Sequence, residues 1–177
     1  MNLIDKYPEL FGKPPFDPKE TLICFGLEVP RSWIPELEKG LEKISKEVKK
    51  TNLKDYRIIQ IKEKFGSLSI YDKNGNKKIK EIIKEIKKDC AGICEICGSK
   101  NAKIVQIRGY FQNLCNRCKK EKQMAVIEEK INEAKIRAEE KDFFEELSKL
   151  LGKEIKEIEF SSKEELKEKI YQSTYFC

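Results

Sequence analysis

Residues 94–118 read CEICGSKNAKIVQIRGYFQNLCNRC, in a chain of 177 residues that contains no histidine. Cys94 and Cys97 are followed, after 17 residues, by Cys115 and Cys118. A doubled C-x2-C with a loop of this length is a metal-ligand signature. Two intervening residues let one tight turn aim both sulfurs at a single ion, and Gly98 permits the backbone twist that follows. The second pair must come from elsewhere in the chain to complete a tetrahedron. Between the pairs, KIVQIRGYFQNL reads as a hairpin, with residues 103–107 and 110–114 flanking Arg108 and Gly109. The second pair opens into a long helical pattern, whose free N–H groups and positive dipole end favour thiolates.

Knuckle, hairpin and a ligand pair in the first turn of a helix predict a treble-clef finger. In the alternative, a plain zinc ribbon, the second pair would sit in another hairpin turn. Four thiolates saturate zinc, so the ion is expected to be a structural staple contributing about 10 kcal/mol or more to local folding. An iron site on the same sulfurs, or two disulfides, are the competing readings.

The rest of the chain frames this segment. Its length suits one domain, or one domain plus an appendage. It is 38% charged and 39% hydrophobic, the balance of a folded protein. No run of about 18 apolar residues is present. The opening MNLIDKYPELF carries Asp5 and Glu9 and lacks the apolar stretch of a signal peptide. The expected setting is therefore the reducing cytoplasm, where paired cysteines ligate metal. The net charge of +6 is uneven: +5 over residues 1–93, +5 over 94–122 and −4 over 123–177. Such asymmetry points to different roles for the two ends or to an attraction between them.

Periodicity predicts an α+β fold, with a small antiparallel sheet, packed helices, a four-cysteine finger and a mostly helical C-terminal extension. The expected segments are an α+β domain over 1–90, the finger over 91–122 and the acidic extension over 123–177. Thr21–Val29 reads as a strand that places Cys24 in the core. Ile34, Leu37, Leu41, Ile44 and Val48 form one helical stripe, with Ser32 as N-cap and Gly40 as a weak point. Ile59 and Ile61, then Leu68 and Ile70, mark two half-buried strands around a bend at residues 65–67. The turn at Asn74–Asn76 precedes a second helix that buries Ile79, Ile82, Ile83 and Ile86. Met124, Ile127, Ile131, Ala134 and Ala138 give a stripe suited to packing within its own domain or to a short coiled-coil seam. Beyond it come a helix stopped at Gly152, a short strand, and a last helix capped by Ser161 or Ser162. Cys90 and Cys177 have no partner at ligand spacing.

The missing histidine removes Ser-His and Cys-His dyads and imidazole-ligated zinc hydrolases. No phosphate loop or dinucleotide fingerprint is present. A non-enzymatic role is therefore expected, with a carboxylate hydrolase built around Glu63 as a remote alternative. Seven basic residues crowd positions 94–122, and zinc with four thiolates would carry −2, lowering that segment from +5 to about +3. The candidate contacts for nucleic acid or another partner are Lys103, Arg108, Tyr110, Arg117, Lys119 and Lys120, with Phe111 as a second aromatic. A protein-interaction module working through the C-terminal extension is the alternative.

Six separated pieces resemble a small, largely uncharacterised family of phage and prophage zinc-finger proteins. They are YPELF (Tyr7–Phe11), CFG (Cys24–Gly26), Trp33, QIKEKFGSLSIY (Gln60–Tyr71), CEICG (Cys94–Gly98) and LCNRC (Leu114–Cys118). The likeness covers about the first 120 residues, and IKEKFGSL is its most specific part. Family members often carry histidine as the last ligand, where this chain has Cys118. The resemblance implies a phage context and a binding role in the host cytoplasm, such as inhibition of a CRISPR nuclease or another defence complex. It supplies no catalytic residue.

Overall fold

The computed structural model describes residues 2–137, 143–155 and 162–175. The chain divides into two compact units, Met1–Cys118 and Lys119–Cys177. The first unit begins with short helices α1 (Leu3–Lys6) and α2 (Pro8–Phe11), then two 3-10 turns, Leu22–Phe25 and Arg31–Trp33. Helix α3 (Ile34–Thr51), strands β1 (Arg57–Lys64) and β2 (Ser67–Lys73), and helix α4 (Lys77–Ala91) follow. Strands β3 (Lys103–Ile107) and β4 (Tyr110–Leu114) complete it. Helix α5 (Asn116–Arg137) starts at the end of this unit and belongs to the second from Lys119 onward, joined there by α6 (Phe143–Leu151) and α7 (Lys163–Tyr175). The fold is α+β, with two separate two-stranded antiparallel sheets, one over the expected 57–73 strands and one over the expected finger hairpin.

The helical stripes pack as their spacing predicts. Leu37, Leu41, Ile44 and Val48 of α3 and Ile79, Ile82, Ile83 and Ile86 of α4 are buried in one core with Leu10, Phe11, Trp33 and Tyr56. Burying such side chains stabilises by roughly 1.5–3 kcal/mol each. Gly40 faces α4: a Cβ there would lie 2.2 Å from Cγ1 of Ile86. Its small size is a packing requirement. Asn76 caps α4, its side-chain oxygen accepting the Ile79 N–H at 2.9 Å.

Three local expectations are corrected. Thr21–Val29 is not a strand. The Thr21 oxygen accepts the Ile23 N–H at 3.2 Å and nucleates a 3-10 turn, which ends at Gly26 with φ +85°. Only Ile23 of that turn is buried, while Phe25 is 69% exposed and Cys24 half-buried. A lone parallel bridge, Glu28 to Lys62, is what remains of strand pairing. Ser32 does not cap α3, which starts after Trp33; its hydroxyl donates to the Glu95 carbonyl at 3.0 Å. Finally, an irregularity in register between Ile58 and Gln60 switches faces, so Ile58 and Ile61 are buried and Ile59 only partly. A bulge inserts one residue and inverts the alternation before it.

In the second unit Ile127, Ile131 and Ala134 of α5 share a core with Leu147, Ile155, Leu166, Ile170 and Tyr171. The α5 stripe therefore packs within its own unit. Ser162 accepts the Glu165 N–H at 3.1 Å at the start of α7. Ala138, Ser161, Cys177 and the strand expected around 156–160 lie outside the described residues. Among the described residues no helix is long and apolar enough to cross a membrane.

Candidate metal centre

The Sγ atoms of Cys94, Cys97, Cys115 and Cys118 all lie within 4.8 Å of one another. Cys97 and Cys115 are 3.7 Å apart, far beyond a disulfide bond of about 2.05 Å, and all four are free thiols. Cys94 and Cys118 are buried, Cys115 is half-buried and Cys97 is exposed. The cluster is thus closed on its protein side and wet on the other.

Each half of the site has its own support. In the knuckle, the Gly98 N–H donates to the Cys94 carbonyl and the Cys94 N–H to the Ser99 carbonyl, both at 2.9 Å. Gly98 takes φ +72°, which a glycine adopts without strain. Cys115 immediately precedes α5, and its sulfur accepts the Cys118 N–H of the first turn. Sulfur thereby occupies the place of a capping oxygen. The order along the chain is knuckle, β3–β4 hairpin, then α5.

Sequence reasoning missed the residue that joins knuckle to hairpin. Asn113 is fully buried, and its amide nitrogen donates to the Ala91 carbonyl at 2.7 Å and shares its other hydrogen between those of Ile93 (3.3 Å) and Cys90 (3.4 Å). Its backbone N–H donates to Oε1 of Glu95 at 2.6 Å, while the Glu95 N–H returns to the Asn113 carbonyl at 2.9 Å. Buried Trp33 donates from Nε1 to the Ile93 carbonyl at 2.9 Å. With the Ser32 bond, these contacts stitch the knuckle to the main core of its unit. The one available signal was an asparagine at an inward position of an otherwise apolar strand end.

The sulfurs differ in acidity. Hydrogen bonds from the Ser99 hydroxyl and backbone, with a smaller one from Arg117, hold the Cys97 thiol down to about 5. The Ser99 hydroxyl and the Cys118 N–H lower Cys115. Loss of solvent pushes the Cys118 thiol up to about 12. Four sulfurs at this spacing ionise together only beside a cation. The donor set, its closeness and its fixed backbone fit a four-coordinate soft or borderline metal.

The predicted contact residues divide between the two units. Lys103 is exposed opposite Leu114, at the far end of the hairpin from Tyr110, which is 76% exposed opposite Ile107. Strand alternation puts Tyr110 and Phe111 on opposite faces of β4. Arg108 occupies the hairpin turn with φ +54°. Arg117 bonds the Cys97 sulfur. Lys119 and Lys120 belong to the second unit, where Lys120 pairs with Glu168 at 3.0 Å and sits 5.1 Å above the Tyr171 ring. Glu63, the candidate hydrolytic carboxylate, accepts the Gly66 N–H at 2.5 Å and caps the β1–β2 turn. No protein-family model, curated protein or solved structure matches the chain.

Proposed function

We propose that the four cysteines hold one structural zinc ion in a treble-clef finger, and that the protein is a non-enzymatic binder of nucleic acid or of a host nucleoprotein complex. The observation that carries the zinc reading is the sulfur cluster itself. Tetrahedral zinc with bonds of about 2.3 Å requires sulfurs about 3.8 Å apart, close to the 3.7 Å between Cys97 and Cys115. Four thiolates leave no position for substrate, so the ion shapes a surface and performs no reaction. The knuckle, hairpin and helix order supports the treble clef.

Charge supports the binding reading. The first unit carries a net +8 and the second −2. Four thiolates and zinc leave the first unit at about +6. The likeness to phage and prophage finger proteins favours a target in the host, including a CRISPR nuclease. Two measurements test this. Purified protein should contain one zinc per chain, and its affinity for nucleic acid should fall steeply with salt. A protein with no stoichiometric metal, or an affinity indifferent to ionic strength, contradicts the respective half.

A further inference from the structure

The motif KEKFGSLSIY contains none of the four clustered cysteines, and it builds a surface of its own. Past the bulge, alternation places Glu63 and Leu68, and Ile61 and Ile70, as cross-strand pairs toward the core. Lys62 and Ser69, Lys64 and Ser67, and Tyr71 point to the opposite face. That face is closed near Gln60, whose amide donates to Glu28 at 3.2 Å. Among the described residues it is open beyond this point: Tyr71 is 44% exposed, Lys64 is exposed, and Lys62 and both serines are half-exposed.

The hairpin tip continues the same surface. Phe65 and Gly66 both have positive φ, +54° and +75°, the mark of a type I′ turn. Asparagine or aspartate normally fills the first position of such a turn, because left-handed backbone strains other L-residues by roughly 1–2 kcal/mol. Here a phenylalanine occupies it and is 65% exposed, so neither backbone preference nor core burial accounts for it. Its ring is fixed edge-on against Phe111 at 6.0 Å, and a Cβ on Gly66 would meet Ile104 at 3.2 Å, so the tip is braced on the second hairpin. Lys64 lies 5.4 Å from the Phe65 ring and Lys62 5.8 Å from that of Tyr71. Neither lysine has an ion-pair partner among the described residues.

We propose that this open face and tip form a platform for single-stranded nucleic acid, with bases stacked on Phe65 and Tyr71 and phosphates held by Lys62 and Lys64. Alternating rings and cations match a flexible strand, whose unstacked bases expose their faces beside each phosphate. A duplex hides those faces. The inference rests on the nucleic-acid reading above and moves the contact from the finger's own basic residues to the neighbouring hairpin.

The test is fluorescence anisotropy of the zinc-loaded protein with labelled 20-nucleotide DNA and RNA strands of mixed sequence, and with the same DNA as duplex. Phe65→Asn is the central variant, since asparagine suits the turn and keeps it folded while removing the ring. Tyr71→Ser is the second. The expected result is preference for single strands, with each variant weakened between about fivefold and a hundredfold at an unchanged or raised melting temperature. Lys62→Gln with Lys64→Gln should flatten the salt slope on single strands by about 1.4. Equal affinity of wild type and both aromatic variants overturns the platform and leaves nucleic-acid binding to the finger. Duplex bound as well as single strand overturns the platform too. Failure to bind any of the three at low salt overturns both readings.

Discussion

The two hairpins of the first unit close in the same way and are supported in opposite ways. Each turns through an X-Gly pair at positive φ, Phe65-Gly66 in one and Arg108-Gly109 in the other. The β1–β2 hairpin lays Ile58, Ile61, Leu68 and Ile70 against a core shared with two long helices. The β3–β4 hairpin buries Leu114 with Ala102, Cys94 and Cys118, and only partly covers Val105 and Ile107. An isolated two-stranded hairpin is marginal in water. Similar backbone geometry therefore survives by apolar burial in one place and by a four-cysteine cluster plus a buried amide in the other, with the cluster closed by metal on the zinc reading proposed above.

The largest expected effect separates the two directly. Chelation, or Cys118→Ser, should abolish amide-exchange protection across residues 103–114 while residues 57–73 keep theirs. The ligation energy at stake is about 10 kcal/mol, more than the small apolar cluster beside the cysteines supplies. Uniform loss in both hairpins would make the unit one cooperative whole; uniform retention would show that β3–β4 stands without metal.

Next in size is Asn113→Ala. The substitution takes a buried donor from the Ala91 carbonyl, while those of Cys90 and Ile93 keep the Ile93 N–H and Trp33 Nε1, and it should cost about 1–3 kcal/mol. As a support for the ligand-bearing turn, Asn113 should also change zinc affinity by about 10- to 100-fold, read by competition with a chromogenic chelator. Destabilisation with unaltered zinc affinity would reduce Asn113 to a packing residue of the hairpin. Trp33→Phe, which removes the hydrogen bond to Ile93 and leaves a cavity where the larger indole was buried, should destabilise by about 2–3 kcal/mol.

How far the sequence could be read follows from which forces are local. The grouping of four cysteines, the stripes of α3 and α4 and the 103–114 hairpin were legible because spacing alone encodes them. The Thr21–Val29 segment was not, because a capping hydroxyl and a glycine override an apolar, β-prone composition. Ile58 against Ile59 was hidden by one extra residue in the strand. Asn113 and Ser32 act across 20 or more residues, on backbone carbonyls that no pattern announces. The basic cluster is close in sequence but divides between surroundings: Arg117 helps lower the Cys97 thiol and Lys120 pairs with Glu168, while Tyr110 and Phe111 face apart.

The turn glycines sharpen the comparison at smaller scale. Gly109→Ala should cost about 1 kcal/mol, from positive φ alone, since an added Cβ meets nothing within 4 Å. Gly66→Ala carries the same backbone strain and also pushes a Cβ to 3.2 Å from Ile104 and 3.3 Å from the Gln112 backbone. We expect about 2–3 kcal/mol there. Equal costs in thermal or urea unfolding would show that the two hairpins do not brace one another at the β1–β2 tip.

The smallest effect is on pH, and it touches the helical cover of β1–β2 alone. Burial raises the Glu9 carboxyl, yet hydrogen bonds from Lys49, at 2.8 Å, and from Ser45 outweigh it and leave Glu9 below its ordinary value of 4.5. A lowered folded-state value means that this contribution is complete above the unfolded value and fades as pH falls through the folded one. Lys49 is mostly exposed, so the tie between α2 and α3 contributes no more than about 1 kcal/mol. Glu9→Gln should therefore unfold more easily than wild type at pH 7 by up to that amount. The gap should close below pH 4.5, followed through the fluorescence of buried Trp33. A constant gap from pH 7 to pH 3 would mean that Glu9 acts through shape and hydrogen bonding without its charge.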